Sequence, residues 1–352
     1  MNRVLRRSLK LPTGGVDFTS NDYLGLARSE ALYQMITDRM SALPKKRNGS
    51  TGSRLLSGNS VLIEEIEKKL AAIFNRESSL LFDSGYAANL AVLSTLPQRG
   101  DTIIMDELSH ASLKDGARLS LATKWNFRHN DLADLREKLE AAGGEKWIVL
   151  ESIYSMDGDE SPLDDIVSLA ESFGARIVLD EAHTTGLASQ RGVSRKIDVR
   201  VCTFGKAMGV HGACVCSSKE IKDQLVNFAR PFIYTTAPSD HSVVSISCAF
   251  DFLEANFHLQ QELNSRINYF QSTARGILGL KGSHSQVQVV LLPGYENVSK
   301  AASQLQSAGF DVRPILSPTV REGQERLRIC LHTFNTENEI KDFVTKAKSL
   351  GL

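Results

Sequence analysis

The chain has 352 residues, 42% hydrophobic and 23% charged, and its 41 Lys+Arg balance 41 Asp+Glu so that the formal net charge is zero. That length suggests about two domains with a substantial core, and the even balance excludes recruitment of nucleic acid or an anionic membrane by bulk charge. Met1 to Lys10 is basic without an apolar core and no later window approaches a membrane span, so a soluble cytoplasmic protein is expected.

Arg3 to Pro12 is basic and irregular, and Arg6 and Arg7 read as solvated charges unless this arm folds back over a site. Asp17 to Leu26 offers a short strand running into a polar turn. Gly49 to Gly58 is a Gly- and Ser-rich loop with one arginine, Arg54, leading to a helix begun near Asn59 and Ser60. That helix puts Leu62, Ile66, Leu70 and Ile73 on one stripe, with Glu64, Glu65, Glu67, Lys68 and Lys69 elsewhere, which is a core-packing pattern.

A regular alternation follows. Apolar runs at Leu80–Phe82, Thr102–Met105, Trp147–Leu150, Ile177–Leu179, Val199–Thr203 and Ala213–Cys216, with a weaker one at Lys124–Phe127, are mostly separated by helical or loop segments. This predicts an α/β architecture, a mostly parallel sheet with helices on its faces. The last two strands are too close for a crossover helix, which predicts one antiparallel strand.

After Pro231 to Pro238 the texture changes. A long helical stretch from about Ser239 to Ile277 leads into strand Gln286–Leu292, helix Val298–Ala308, strands near Asp311–Ile315 and Arg326–Leu331, and a helix from Glu337 to Lys348. The expected domains are therefore an N-terminal arm, residues 1–44, packed on the small domain; a large cofactor-binding domain, 45–238; and a small α+β C-terminal domain, 239–352. The five cysteines, Cys202, Cys214, Cys216, Cys248 and Cys330, lie mostly in apolar stretches without metal-type pairing. They read as buried reduced thiols, Cys214 and Cys216 sharing one strand face, and no metal is expected.

Candidate chemistry collects at strand ends. Ser84 and Gly85 open a helix whose free N–H groups suit a phosphate, although an ordinary N-cap is the commoner role of such a pair. His110 follows the next strand, and a lone loop histidine is usually incidental. Asp180 falls at the carboxyl end of a strand buried on both faces, the edge where α/β sheets bind ligands. Lys206 follows the next strand, on a Gly-flanked turn where a desolvated amine can form a Schiff base or act as a base. A Walker A loop is excluded, since it needs Gly at Arg200 and Ser or Thr at Ala207, and without a phosphate loop Asp-Glu-Ala-His is no helicase signature. An aspartate and a lysine on one rim are the pair that pyridoxal 5'-phosphate needs: an amine for its aldehyde and a carboxylate against its pyridine nitrogen.

Seven motifs then carry a resemblance: Ser-Asn-Asp-Tyr-Leu-Gly-Leu (20–26), Gly-Ser-Arg-Leu-Leu-Ser-Gly (52–58), Ser-Gly-Tyr-Ala-Ala-Asn (84–89), Leu-Ser-His-Ala-Ser (108–112), Tyr-Ser-Met-Asp-Gly-Asp (154–159), Asp-Glu-Ala-His (180–183) and Thr-Phe-Gly-Lys (203–206). From about Phe18 onward the chain resembles the α-oxoamine synthases, enzymes that join an amino acid to an acyl-CoA with loss of carbon dioxide. The resemblance implies a fold-type I pyridoxal-phosphate-dependent transferase, its large domain built on a mostly parallel seven-stranded sheet, with a small α+β C-terminal domain. It implies Lys206 as the Schiff-base lysine, Asp180 on the pyridinium, His183 on the phenolic oxygen and His110 stacked on the ring. Ser84, Gly85, Tyr86 and Thr203 lie at the phosphate, and Ser155 also contacts the cofactor. Family members are homodimers with shared sites, in which Thr235 and Thr236 would reach the partner's phosphate.

The same resemblance gives Arg328 as the arginine on the amino-acid carboxylate, with Asn21, Thr319 and Arg6 as further substrate contacts. The expected partners are a small amino acid and an acyl-CoA or acyl carrier protein. Leu316 departs from the family pattern, since many members have arginine there, and Arg313 would point to the other face of a regular strand. A lyase or decarboxylase without an acyl acceptor stays open, as do the acyl chain and the amino acid.

Overall fold

The computed structural model describes Leu9, Leu11 and residues 14–187 and 196–352. These fall into two compact units, Asp22–Glu262 and the described residues through Asn21 together with Leu263–Leu352. The first elements are β1 (Val16–Asp17), α1 (Glu30–Ser41) and α2 (Val61–Ile73). Ser29 and Ser60 cap the two helices, their side chains accepting the backbone N–H of Leu32 and Ile63.

The alternating run folds as β2 (Ser78–Phe82), α3 (Gly85–Thr95), β3 (Thr102–Asp106), α4 (Ala111–Leu119), β4 (Thr123–Phe127) and α5 (Leu132–Ala141). It continues through β5 (Lys146–Glu151), α6 (Leu163–Phe173), β6 (Arg176–Asp180), β7 (Val199–Thr203) and β8 (Ala213–Ser217). One seven-stranded sheet results, in the order β2-β8-β7-β6-β5-β3-β4. β8 pairs antiparallel with both β2 and β7, and the other pairs are parallel, as the sequence predicts.

Alternate residues of each central strand enter opposite cores. Trp147, Val149 and Val178 pack with α3, whereas Ile148, Leu150, Ile177 and Leu179 pack with residues of α5 and α6. Fully burying such a side chain stabilises by roughly 1.5–3 kcal/mol, so the double-sided apolar strands fix the sheet's register.

α7 (Lys219–Phe228), the single turn α8 (Arg230–Ile233), α9 (Asp240–Ala255) and α10 (His258–Thr273) follow. The long helical stretch is thus two helices, and the division between the units falls inside α10. This differs from the sequence boundaries at 44 and 238, because α9 packs against α1 and α2 and so belongs with the larger unit.

The smaller unit contains β9 (Leu280–Lys281), β10 (Val287–Leu291), α11 (Tyr295–Ser307), β11 (Phe310–Asp311), β12 (Arg313–Ile315), β13 (Arg326–Cys330) and α12 (Glu337–Ser349). β12-β13-β10-β9 form a four-stranded sheet, and β1 pairs in parallel with β11. Phe18 stacks near Phe343, 4.7 Å between ring centroids, tying the β1 segment into this unit's core.

The stripe on α2 is shifted from its expected position. Ile63, Ile66, Glu67, Leu70 and Ala71 are buried, and Ile73 is exposed. Glu67 goes inward because it has partners: Arg54 at 2.5 Å, Lys222 at 2.8 Å and the Leu81 N–H at 2.9 Å. Apolar periodicity places such a glutamate on the solvent side because it carries no information about a cation from another segment.

His129 is a half-buried charge, clasped by Asp106 at 3.0 Å and Asp159 at 2.8 Å, with Tyr154 edge-on at 4.5 Å. Burial alone would depress its pKa, but hydrogen bonds to the two carboxylates outweigh that and hold it up at about 9.

Two outcomes follow from these charges. Arg54→Met leaves Glu67 buried with only Lys222 as counter-ion, and should lower stability by about 3–5 kcal/mol in urea unfolding; removing the buried carboxylate as well, with Glu67→Gln, should recover part of it. The His129 ring should titrate by NMR near 9, above the usual value of about 6.5. Because the folded pKa is the raised one, its contribution to stability is complete below the unfolded pKa and disappears as pH rises through the folded one.

Candidate active site

β2, β3, β5, β6 and β7 all run the same way, so their carboxyl ends share one rim of the larger unit's sheet. The residues that follow them are Ser84 and Gly85, His110, Ser155, Asp180 with His183, and Lys206. The topology thus gathers what the sequence scatters over some 120 residues.

Lys206 sits on a tight turn closed by Gly209 N–H to the Lys206 carbonyl at 2.9 Å and Phe204 N–H to the Gly212 carbonyl at 2.9 Å. Gly209 has φ +66°, and a Cβ there would lie 2.3 Å from the Ala27 nitrogen, so the turn requires glycine. Lys206 Nζ is 2.8 Å from His183 Nε2, and His183 Nδ1 is 2.7 Å from the Tyr23 hydroxyl. With the lysine as donor, His183 accepts at Nε2 and donates from Nδ1 to Tyr23. A proton can therefore be exchanged between Nζ and a buried imidazole without solvent.

Asp180 is buried and its two oxygens accept from separate donors, Oδ1 from the Ala182 N–H at 2.8 Å and Oδ2 from Asn89 Nδ2 at 2.7 Å. Asn89 also donates to Ser112 Oγ at 2.9 Å, and Ser112 Oγ is 2.8 Å from His110 Nδ1. Aspartate, asparagine, serine and histidine form one connected array. Burial depresses the His110 pKa, with Asp180 opposing and Lys206 reinforcing the shift, so its ring is neutral at pH 7.

Glu151 ends β5 in direct register with Asp180. Its side chain is buried, its Oε1 has no hydrogen-bond partner, and burial together with the Asp180 charge pushes its pKa up to about 8. A protonated carboxyl beside a carboxylate is the usual resolution of two acids at one strand edge.

At the end of β2, Ser84 caps α3 by accepting the Ala87 N–H at 3.2 Å. A Cβ on Gly85 would lie 2.1 Å from Thr203 Oγ1, so a larger residue would have to turn that hydroxyl away from the helix start. The result is a cradle of N–H groups and a hydroxyl at a helix N-terminus, the donor set of a phosphate site. Together with a buried carboxylate and an amine on the same rim, it fits a phosphorylated pyridine aldehyde. Tyr86 is exposed and donates to Asp115, Thr235 Oγ1 donates to Asp83 at 3.1 Å, and Thr236 is exposed.

In the smaller unit Arg328 is buried on β13 and donates to Asn21 Oδ1 at 2.9 Å, which joins two of the expected substrate residues. Thr319 is exposed beyond β12, and Arg6 lies outside the described residues. Arg313 pairs with Asp311 at 2.9 Å. Tyr23, Asn89 and Glu151 belong to the array on the rim but were not singled out from the sequence. The signal for Asn89 was a single amide on an otherwise apolar helix, and for Glu151 a carboxylate closing a strand beside that of Asp180.

The aminotransferase class I and II model matches residues 13–346. A putative 8-amino-7-oxononanoate synthase of Bacillus licheniformis is 38% identical over 99% of this chain and 93% of its own. 8-amino-7-oxononanoate synthase 2 of Bacillus subtilis is 37% identical over 95% and 87%. Among solved structures, a serine palmitoyltransferase of S. paucimobilis with bound PLP superposes with TM-score 0.88 at 26% identity, over 95% of this chain and 87% of that one. An 8-amino-7-oxononanoate synthase of Francisella tularensis gives 0.81 at 27%, over 95% and 97%. With a lysine, a buried aspartate and a glycine-opened helix on one rim of a mostly parallel seven-stranded sheet, the chain belongs to the aminotransferase class I and II family and, within it, to the α-oxoamine synthases.

Proposed function

We propose that this chain binds pyridoxal 5'-phosphate and joins L-alanine to a pimeloyl thioester, with loss of carbon dioxide and the thiol, to give 8-amino-7-oxononanoate. The observation that carries the reading is the pairing of Lys206 Nζ with His183 at 2.8 Å on the rim where Asp180 ends β6. The curated relatives add the reaction by similarity. When bound, the cofactor supplies an aldehyde for amines and a cationic ring that accepts an electron pair from the amino-acid Cα.

The chain's own residues do the rest. Asp180, kept in place by Asn89 and the Ala182 N–H, would be the carboxylate that pairs with the ring nitrogen. Lys206 Nζ removes and returns the Cα proton, and His183 with Tyr23 keeps that amine oriented. By the family resemblance, His110 would lie against the ring and Ser155 would contact the cofactor from the 154–159 loop. Ser84, Gly85, Tyr86 and Thr203 take the phosphate, with Thr235 and Thr236 serving a second copy in a homodimer. The exposure of Thr236 in the single chain leaves it accessible to that second copy. Arg328 takes the amino-acid carboxylate, and Asn21, Thr319 and Arg6 contact substrate.

One observation favours a second reading, a synthase taking a monocarboxylic acyl group. The position of a common family arginine is Leu316, and Arg313 is committed to Asp311. Among the described residues no helix is long and apolar enough to cross a membrane.

The deciding assay sets L-alanine, glycine and L-serine against acetyl-, pimeloyl- and palmitoyl-thioesters and follows free thiol. Alanine with the pimeloyl thioester should turn over fastest; a preference for palmitoyl selects the second reading, and amino-acid loss without thiol release removes both. Asp180→Asn should retain the cofactor's visible absorbance while turnover falls about a hundredfold or more. Borohydride reduction of the loaded protein should leave the cofactor on the peptide containing Lys206, which peptide mapping reads directly.

A further inference from the structure

Three of the five cysteines meet between β7 and β8, just behind the rim. β7 and β8 are antiparallel neighbours in which Cys202 faces Cys214 and Arg200 faces Cys216, so the four side chains stand on one face of the sheet. The three Sγ atoms lie within 4.8 Å of one another, with Cys214 and Cys216 3.4 Å apart, and all three residues are fully buried. Cys202 Sγ is 3.4 Å from Glu181 Oε2, and Arg200 holds that carboxylate through bonds of 2.6 and 2.8 Å. The other face of the same two strands shows Val199, Val201, Ala213 and Val215, an ordinary apolar core. The sulfur-rich, charged face therefore belongs to this corner and is not a general property of the sheet end.

We propose that Cys202, Cys214 and Cys216 form a structural zinc site, with the Glu181 carboxylate as its oxygen donor. Only the three sulfurs lie within 4.8 Å of one another as they stand; Glu181, 3.4 Å from Cys202 Sγ, completes a closed four-coordinate set by turning Oε2 from Arg200 to the metal while Oε1 keeps its bond, and a filled-shell dication imposes no competing geometry. Binding breaks three S–H bonds, releases three protons to solvent and forms three metal–sulfur bonds, with no change of oxidation state. The metal with three thiolates carries one negative charge and Glu181 a second. Arg200, paired with Glu181, and Arg76, within electrostatic reach of Cys202, Cys216 and Glu181, supply two positive ones. A monovalent cation such as copper(I) would leave the pocket one charge short, at high cost in a core. Full burial implies that metal is taken up as the chain folds. The site would lock together the strands whose ends carry Asp180 and Lys206.

The test is the metal content of the intact protein expressed in zinc-supplemented medium and desalted, together with zinc X-ray absorption. One zinc per chain is expected, with sulfur neighbours at about 2.3 Å and a lighter neighbour at about 2.0–2.2 Å. Cys214→Ala and Cys216→Ala should lose it, whereas Cys248→Ala, away from the cluster, should keep it. Should either variant fail to fold, the wild-type spectrum decides by its sulfur shell. Wild-type protein with well under one zinc per chain, zinc bound only to lighter atoms, copper in its place, or full zinc retention in the cluster variants would overturn the assignment and leave the thiols as packed core side chains.

Discussion

The chemistry of this molecule depends on the parallel register that sets β5, β6 and β7 side by side. Because Glu151 and Asp180 are register partners and β7 continues directly into the turn of Lys206, two acids and an amine are delivered to one edge by backbone hydrogen bonds alone. Side-chain bonds then set each group's state. Two N–H donors keep Asp180 an acceptor, and the neighbouring Asp180 charge helps keep Glu151 neutral. A slip of one residue between β5 and β6 would send every one of these groups to the opposite face, together with the apolar residues that fill both cores.

The larger unit contains several buried or half-buried charges, each paired. Glu67 gathers Arg54 and Lys222, Arg200 clasps Glu181, and His129 bridges Asp106 and Asp159. Such pairs contribute little net stability, because desolvation offsets most of the attraction, but each is costly to break on one side. They act as alignment devices. Glu67 joins the 49–58 loop to α2 and β2, Glu181 follows Asp180 directly, and Asp159 belongs to the loop that contains Ser155.

Much of this was legible in the sequence, for physical reasons. Strands buried on both faces are continuous apolar runs, and the short link between β7 and β8 demanded an antiparallel neighbour. Asp180 and Lys206 could be placed on one rim because the first closes such a run and the second follows the next, whereas His183 came only with the family resemblance. What escaped were residues whose meaning is relational. Glu67 looked solvent-facing until Arg54 and Lys222 were placed around it. Tyr23 lies some 160 residues from the histidine it orients, and the cysteine spacing showed no cluster because Cys202 joins the other two only across a strand pair. The boundary within α10 was hidden because α9 packs by its apolar face, which says nothing about which unit receives it.

Under the proposed function, the family position for an acyl-group arginine falls in the smaller unit, at Leu316. β12 pairs regularly with β13, Arg313 opposite Arg328 and Ile315 opposite Arg326, so there is no bulge to turn Arg313 toward the face of Leu316. Arg313 is tied to Asp311 besides, and Arg326 donates to the Gln324 carbonyl. A distal carboxylate on the acyl chain would therefore find its counter-charge somewhere other than this strand, or be met by water. Since an unpaired buried carboxylate costs several kcal/mol, acyl selectivity under the proposed function turns on whether that end of the substrate is desolvated at all. An acyl pocket open to solvent at Leu316 would tolerate a dicarboxylic chain, whereas one closed over it would select against the charge.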